Sequence, residues 1–495
     1  MKTTKAKLLK ASAFVSVMLL AALTRLWNLG FPAKLVFDET YYVKDALTLS
    51  LEGHEKSWPD QANSAFEAGD VFGYLPDAAF VVHPPLGKWL ISSGIWALGP
   101  ENSFGWRIST ALLGIATVGL LMLVAFKLFR SSLVSVIAGL ALAIDGLAIT
   151  LSRTALLDAS LTFFLLLGFY LFLFDQASSR TRILLALEKQ DSGVLWFRPW
   201  LLATGVALGL ATAIKWSGLY LLAAIGIYVV LSEMLLRKAA GEHNWFRKGV
   251  IAQGVASFLN LIPVAFASYL LTWLGWITGN DGYSRNWAKE NPANGIEQAF
   301  PEWLRSLWHL HEMIYRFHVS LTTEHAYQAH PIGWLIGIRP TAFFYESYSK
   351  GENGCDLELG CSSAITALGN PALSVLGVLA LVYLIQRYVR NKERNIGLVL
   401  LGVAALYLPW LIFAERTVFH FYSVSFQPWL LIGVAFVVQK SYATLQKINT
   451  GFAKLTLVAF LVLVVALSVF FLPINTGIFL PFEQWQWRMW LPSWI

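Results

Sequence analysis

Residues 11–28 read ASAFVSVMLLAALTRLWN, preceded by Lys2, Lys5, Lys7 and Lys10 and followed at residues 36–42 by VFDETYY. A basic start before an apolar run is the pattern of a signal peptide, but this run is long for one. No small-residue cleavage motif precedes the acidic pair Asp38 and Glu39. The stretch therefore reads as an uncleaved first membrane span with the N-terminus inside. The two acids just beyond it are poorly placed for stability, because confinement at a bilayer edge disfavours the charged form and an acid neighbour adds to the cost. A chain that is mostly membrane has reason to keep them where a cation, a proton or a nucleophile is handled.

The 495-residue chain is 56% hydrophobic and 14% charged, against about 25% charged for a soluble protein. Apolar runs long enough to cross a bilayer recur throughout. Eleven spans are expected near residues 11–28, 104–126, 133–151, 156–174, 199–214, 217–236, 250–275, 371–386, 396–413, 418–438 and 455–473. Alternate connecting segments collect basic residues, among them Lys127, Arg130, Arg180, Arg198, Arg237, Lys248, Arg387, Arg394, Lys440 and Lys454. These loops read as solvated topology signals that place them inside. The formal charge of +7 thus reports topology rather than nucleic-acid binding. Asp145 falls within a span. The odd span count puts residues 475–495 outside, with Trp485, Trp487, Trp490 and Trp494 suited to the membrane interface. The fold class is an all-α polytopic membrane protein, with residues 1–495 as a single integrated membrane domain.

Two long segments face outward, residues 29–103 and 276–370. The first carries the acids and the sequence His83-Pro84-Pro85-Leu86-Gly87-Lys88. The apolar piece after it, residues 86–98, is too short to span and lies in the interface or re-enters. In the second, Glu302, Arg305, His309, Glu312 and Arg316 recur at three- and four-residue intervals, the pattern of an amphipathic helix on the outer surface. Cys355 and Cys361 sit in a Gly-rich loop there. A disulfide suits an oxidising compartment, whereas a metal pair needs further ligands.

Polar residues at the outer span ends are the remaining candidates: Arg153 and Asp158, Lys215, and Glu415, Arg416, His420 and Tyr422. If they converge, cations would hold a lipid phosphate while a carboxylate takes a proton from a nucleophile. Each also has a plain structural reading. A lone Arg or Lys at a span end is commonly a snorkelling anchor. Asp158 would pair with Arg153 across about a turn and a half. His83 before two prolines would mark a turn, and Glu39 would cap a helix. The five histidines between His309 and His330 lack zinc-type spacing.

The ordered set Asp38-Glu39, His83-Pro84-Pro85-Leu86-Gly87-Lys88, Ser152-Arg153-x-x-Leu-Leu-Asp158 and Lys215-Trp216 resembles the protein O-mannosyltransferases, polytopic glycosyltransferases of the GT-C type. Pro331-Ile-Gly-Trp334, Arg339-Pro340 and the Gly-Cys loop resemble the actinobacterial branch. Eukaryotic members carry a β-trefoil insert in the outer loop after the seventh span, and no strand-rich pattern is seen here. The resemblance implies transfer of mannose from polyprenyl-phosphate mannose to Ser or Thr hydroxyls of exported polypeptides. The reaction would invert a β-linked donor to an α-mannoside at the outer face of a bacterial plasma membrane, with the secretion translocon as a further partner. It implies Asp38 as catalytic base, with Glu39 placing acceptor or sugar; as an adjacent acid, Glu39 would also raise the basicity of Asp38. Arg153, Lys215 and, by a looser match, Arg416 would contact the lipid phosphate, and His83 and Lys88 would line the pocket. No cofactor is implied, and the need for a divalent metal is left open.

A phosphodiester-linked sugar leaves as a phosphate monoester, so the leaving group needs neutralisation rather than a general acid. One base and a cationic clamp therefore suffice. The nearest rival is a GT-C transferase acting on a lipid or cell-wall glycan, where Lys often stands in the place of His83. A polyprenyl-lipid transporter is the other, but transporters place their polar residues at mid-membrane.

Overall fold

The computed structural model describes residues 2–189, 191 and 193–495; the side chains of residues 2–10, Lys2, Lys5, Lys7 and Lys10 among them, lie outside the described part. The helices that matter below are α1 (Lys2–Leu26), α2 (Glu39–Glu52), α3 (Leu86–Leu98), α4 (Ser103–Phe129), α5 (Ser132–Ile144), α6 (Gly146–Ser152), α7 (Leu157–Glu188), α8 (Pro199–Thr212), α9 (Gly218–Ala239), α10 (Gln253–Leu271), α11 (Glu302–Ser320), α12 (Pro371–Asn391), α13 (Arg394–Ile412), α14 (Gln427–Ile448) and α15 (Thr450–Thr476). Among the described residues, eight helices are long and apolar enough to cross a membrane, and a ninth span arises if the bent pair α5 and α6 counts as one. Residues 11–26 of α1 and all of α8 are apolar but shorter. The chain divides into two compact units, one of residues up to Val82, Lys88–Ala159 and Gly275–Ile495, the other of His83–Gly87 and Ser160–Leu274.

In the first unit, α1 packs on α4 and α5, and α14 packs on α5, α12 and α15. The expected third span is broken. Asp145 stops α5 and caps α6, accepting the Ala148 N–H at 3.2 Å, and the two helices meet at a bend of 62°. The same carboxylate accepts from the Asn370 N–H (3.0 Å) and the Gln427 amide (2.7 Å). Four-residue ladders cannot continue past an N-cap, so Asp145 is a hydrogen-bonded pivot and not a charge within a continuous helix. The tenth span also starts later than expected. Residues His420–Ser425 form a 3₁₀ turn, and α14 begins at Gln427 with Pro428 in its first turn.

The second outer segment holds strands that the sequence reading lacked. β1 (Thr341–Tyr348) pairs antiparallel with β2 (Cys361–Ala367), and β2 with the short β3 (Leu480–Pro481). β2 reads CSSAITA and is buried throughout, so it shows no two-residue alternation to reveal it. A disulfide joins Cys355, in the connection between β1 and β2, to Cys361 at the start of β2. The tail returns to the protein: Trp494 is buried and donates its indole N–H to the Gly337 carbonyl at 2.9 Å, while Trp487 and Trp490 stay exposed. On α11, Leu307, Leu310 and Ile314 face inward, and Glu312 and Arg316 pair on the exposed side.

In the second unit, α8 crosses α10 at close range. A Cβ on Gly209 would lie 2.3 Å from the Ala265 carbonyl oxygen, so only glycine allows this approach. Arg198, read from sequence as a solvated inner-loop cation, is buried. Its guanidinium pairs with Asp175 and Glu233 and donates to Ser257 at 2.8 Å. Arg237 is likewise buried, paired with Glu242. A buried charge persists only with such partners.

Candidate active site

The site in the first unit is built on the start of α2. Phe37 takes a left-handed backbone (φ 49°), a conformation that costs a bulky residue about 1–3 kcal/mol and that the surroundings must hold. Its ring stacks on Phe343 of β1 at 4.8 Å and meets Phe421 edge-on at 5.6 Å. This turn delivers Asp38 to the N-cap position of α2, where its side chain makes no capping bond. Asp38 is half-buried, and the Tyr42 hydroxyl lies 3.5 Å from its Oδ2.

Glu39 occupies a different place from the one expected of a group that meets substrate. It is fully buried, and Arg107 of α4 grips it in parallel, Nε to Oε1 at 2.8 Å and Nη2 to Oε2 at 2.7 Å. Its carboxylate also accepts the Val36 N–H (3.0 Å) and the Ala155 N–H (2.7 Å). Arg107 completes its fork on the Pro32 and Lys34 carbonyls, both at 2.9 Å. Glu39 thus ties together the loop before α2, α4 and the loop before α7. Its charge is compensated, and it anchors the turn that carries Asp38.

Arg153 is also differently engaged. It does not pair with Asp158; its guanidinium donates to the carbonyls of Trp27 (2.6 Å), Asn28 (3.1 Å), Thr24 (3.3 Å) and Arg25 (3.3 Å) at the end of α1. Arg25 in turn donates to the carbonyls of Leu142 (3.0 Å) and Ala143 (3.1 Å) at the end of α5. Both arginines satisfy helix C-termini that have no other donors within the helix. Lys88, expected to line the pocket, is buried in an ion pair with Glu55.

Asp158 is buried, and it and Asp38 both act on Tyr42 and Tyr422. Burial pushes the Tyr42 hydroxyl well above its usual range, and the Asp38 and Asp158 carboxylates add to the shift. Tyr422, beside His420 in the 3₁₀ turn, is pushed up by burial as well, with the cation of Arg416 opposing and Asp158 and Asp38 reinforcing. Asp38, Tyr42, Asp158, Tyr422 and Arg416 therefore form one electrostatic neighbourhood. Arg416 is half-buried and donates through Nη2 to His318 at 2.9 Å; its Nε has no hydrogen-bond partner. His420 itself is buried, and burial pushes its imidazole down to about 4, so it is neutral.

Asp45 lies seven residues on from Asp38, on the same face of α2. Burial, opposed by Lys88 and reinforced by Glu55, pushes its carboxyl up to about 7. Sequence reasoning passed over Tyr42, Asp45, Arg107 and His318. The i, i+4, i+7 spacing from Asp38 was a usable signal for the first two, but Arg107 and His318 lie far away along the chain and carried none. His83 and Lys215 belong to the second unit. There the Leu86 N–H donates to the Ala213 carbonyl at 3.0 Å, seating the His83–Gly87 stretch on the turn that carries Lys215. Lys215 is buried in that turn. Among the described residues no three His, Cys, Asp or Glu side chains converge as a metal site requires.

The fold is that of membrane-embedded glycosyltransferases of the GT-C type. The structure superposes on the S. cerevisiae protein O-mannosyltransferase complex bound to its sugar donor with a TM-score of 0.70, at 15% identity, covering 98% of this chain and 92% of that one. The dolichyl-phosphate-mannose-protein mannosyltransferase family model matches residues 74–275, and the model of the C-terminal four-membrane-span region of protein O-mannosyltransferase matches residues 303–494. A polyprenol-phosphate-mannose–protein mannosyltransferase of Mycolicibacterium smegmatis is 32% identical over 96% of this chain and 91% of its own length. Its Mycobacterium tuberculosis counterpart is 31% identical over 97% and 90%. The chain belongs to the dolichyl-phosphate-mannose-protein mannosyltransferase family.

Proposed function

We propose that this chain transfers mannose from polyprenyl-phosphate mannose to Ser or Thr hydroxyls of exported polypeptides, with inversion. The observation that carries the reading is the placement of Asp38, a half-buried carboxylate at the start of α2, on a mount formed by Glu39 and Arg107. The names and lengths of its relatives support the donor and the protein acceptor.

In the proposed reaction, Asp38 accepts the proton of the acceptor hydroxyl as its oxygen attacks the anomeric carbon. The bond from that carbon to the phosphate oxygen breaks, and polyprenyl phosphate departs with the electron pair. The Arg416 guanidinium stabilises the charge that develops on the phosphate, and Lys215 and His83 keep their assignments to donor binding by motif. Arg153 is not assigned to the phosphate here, nor Lys88 to the pocket lining, because both are held in buried structural bonds. The outward orientation of residues 29–103 and 276–370 follows from the distribution of Lys and Arg among the loops. It supports a reaction on the outer face of the plasma membrane, with a polypeptide leaving the translocon as acceptor.

The test is transfer in vitro. Purified protein, polyprenyl-phosphate mannose and a Ser/Thr peptide should give glycopeptide, and Asp38→Asn should not. No product with the natural sequence, or full activity in the variant, would overturn the assignment.

A further inference from the structure

Arg416 is held by a histidine whose protonation state is dictated by its neighbours. His318, near the end of α11, receives the Arg416 Nη2–H on Nδ1 at 2.9 Å, and its Nε2 lies 2.8 Å from the Val82 carbonyl oxygen. A guanidinium can only donate and a carbonyl can only accept. Nδ1 must therefore carry a lone pair and Nε2 the proton: the ring is neutral, in one tautomer, bridging two segments of the first unit.

We infer that His318 is a positioning residue that aims Arg416 at the donor phosphate and makes donor binding sensitive to acid. This rests on the phosphate role given to Arg416 above. The bond to His318 restrains one end of a side chain with many rotamers, while the Arg416 Nε remains buried without a partner. An unsatisfied donor on a cation has reason to persist where an anionic ligand completes it. When His318 takes a second proton, Nδ1 becomes a donor. The bond to Arg416 is then lost and two cations face each other. Among the groups set against the ring are Arg416 from the segment after α13, the uncharged Val82 carbonyl from the segment before α3, and Phe317 on α11 itself.

Two substitutions separate the two ring nitrogens. An Asn side chain offers its oxygen near the place of Nδ1, whereas Gln offers its amide near the place of Nε2. In mannosyl transfer near neutral pH, H318Q should raise the donor KM about tenfold with kcat within about twofold, the loss of one charge-assisted bond. H318N should keep the donor KM near that of the natural protein. The natural protein's donor KM should rise in acid, where the ring takes its second proton, and that rise should vanish in H318N. In an Arg416→Ala background, H318Q should have no further effect on KM.

Equal behaviour of H318N and H318Q, an acid-dependent KM that persists in H318N, or a full H318Q effect without Arg416 would each overturn the inference. An inactive natural protein would instead count against the transferase reading. Binding of polyprenyl phosphate by the same variants then supplies the comparison without catalysis, with the same pattern expected and the same results overturning it.

Discussion

Arg107 and Glu39 meet as a parallel fork inside the protein, with N–O distances of 2.8 and 2.7 Å and both side chains almost wholly buried. The pair joins α4 to the turn that presents Asp38, so the geometry of the proposed base depends on a contact made 68 residues away in sequence.

Removing one partner of a buried pair leaves the other charge uncompensated, at a cost of about 3–5 kcal/mol. Arg107→Ala should therefore lower the unfolding temperature in detergent markedly and abolish transfer. Arg107→Lys should recover little, because lysine cannot reproduce the fork. An Arg107→Ala protein of natural stability would contradict this.

Because the Glu39 charge is already balanced, Glu39→Gln should lose stability without moving the acidic limb of the pH–rate profile. Asp38→Asn should do the opposite, retaining its thermal stability while losing about 10²–10⁴-fold in kcat, the usual worth of a positioned base. Calorimetry and transfer kinetics on the two variants read these contrasts directly.

Arg153→Ala and Arg416→Ala should fail in different ways. The first leaves the α1 carbonyls without their donor and should cost about 2–3 kcal/mol of stability with the donor KM little changed. The second should raise the donor KM at least tenfold while leaving unfolding nearly unaltered. A raised donor KM in a stable Arg153→Ala protein would return that residue to the phosphate site.

The Asp45 carboxyl is raised to about 7 by burial, so the folded state holds its proton more tightly than the unfolded chain does. The stability tied to this group is complete below its ordinary carboxylate range and is lost as pH rises through about 7. Asp45→Asn should remove that loss, giving a smaller fall in unfolding temperature between mildly acidic and mildly alkaline buffer. An unchanged slope would show that Asp45 is not the group responsible.

The disulfide between Cys355 and Cys361 closes a short connection, and loop-closure entropy for such a ring is about 2 kcal/mol. Reduction, or Cys355→Ser, should loosen the β1–β2 hairpin, seen as faster amide exchange in residues 341–367. Protection equal to that of the oxidised protein would show that the strands need no staple.

The membrane-spanning character, the positions of most spans, the amphipathic α11 and the ordered motifs were legible in the chain by itself. Hydropathy over about twenty residues and spacings of three, four and seven are local properties, and the bilayer thickness and helix pitch turn them directly into structure. The small β-sheet, the break at Asp145 and the buried state of Arg198 escaped that reading. Each depends on partners distant in sequence: Asn370 and Gln427 for Asp145, β1 and α15 for β2, Asp175 and Glu233 for Arg198.

The same division runs through the site. Sequence alone singled out Asp38-Glu39, Arg153, Lys215 and Arg416 as charges that a membrane protein would not keep idly. Which of them face substrate was decided by the fold. A carboxylate or guanidinium reacts only with the lone pairs and N–H groups its neighbours leave over, and those neighbours are Arg107, Ala155, Val36 and the end of α1. Packing engages Glu39, Arg153 and Lys88 in buried bonds of the framework, and the proposed reaction is therefore assigned to Asp38 and Arg416.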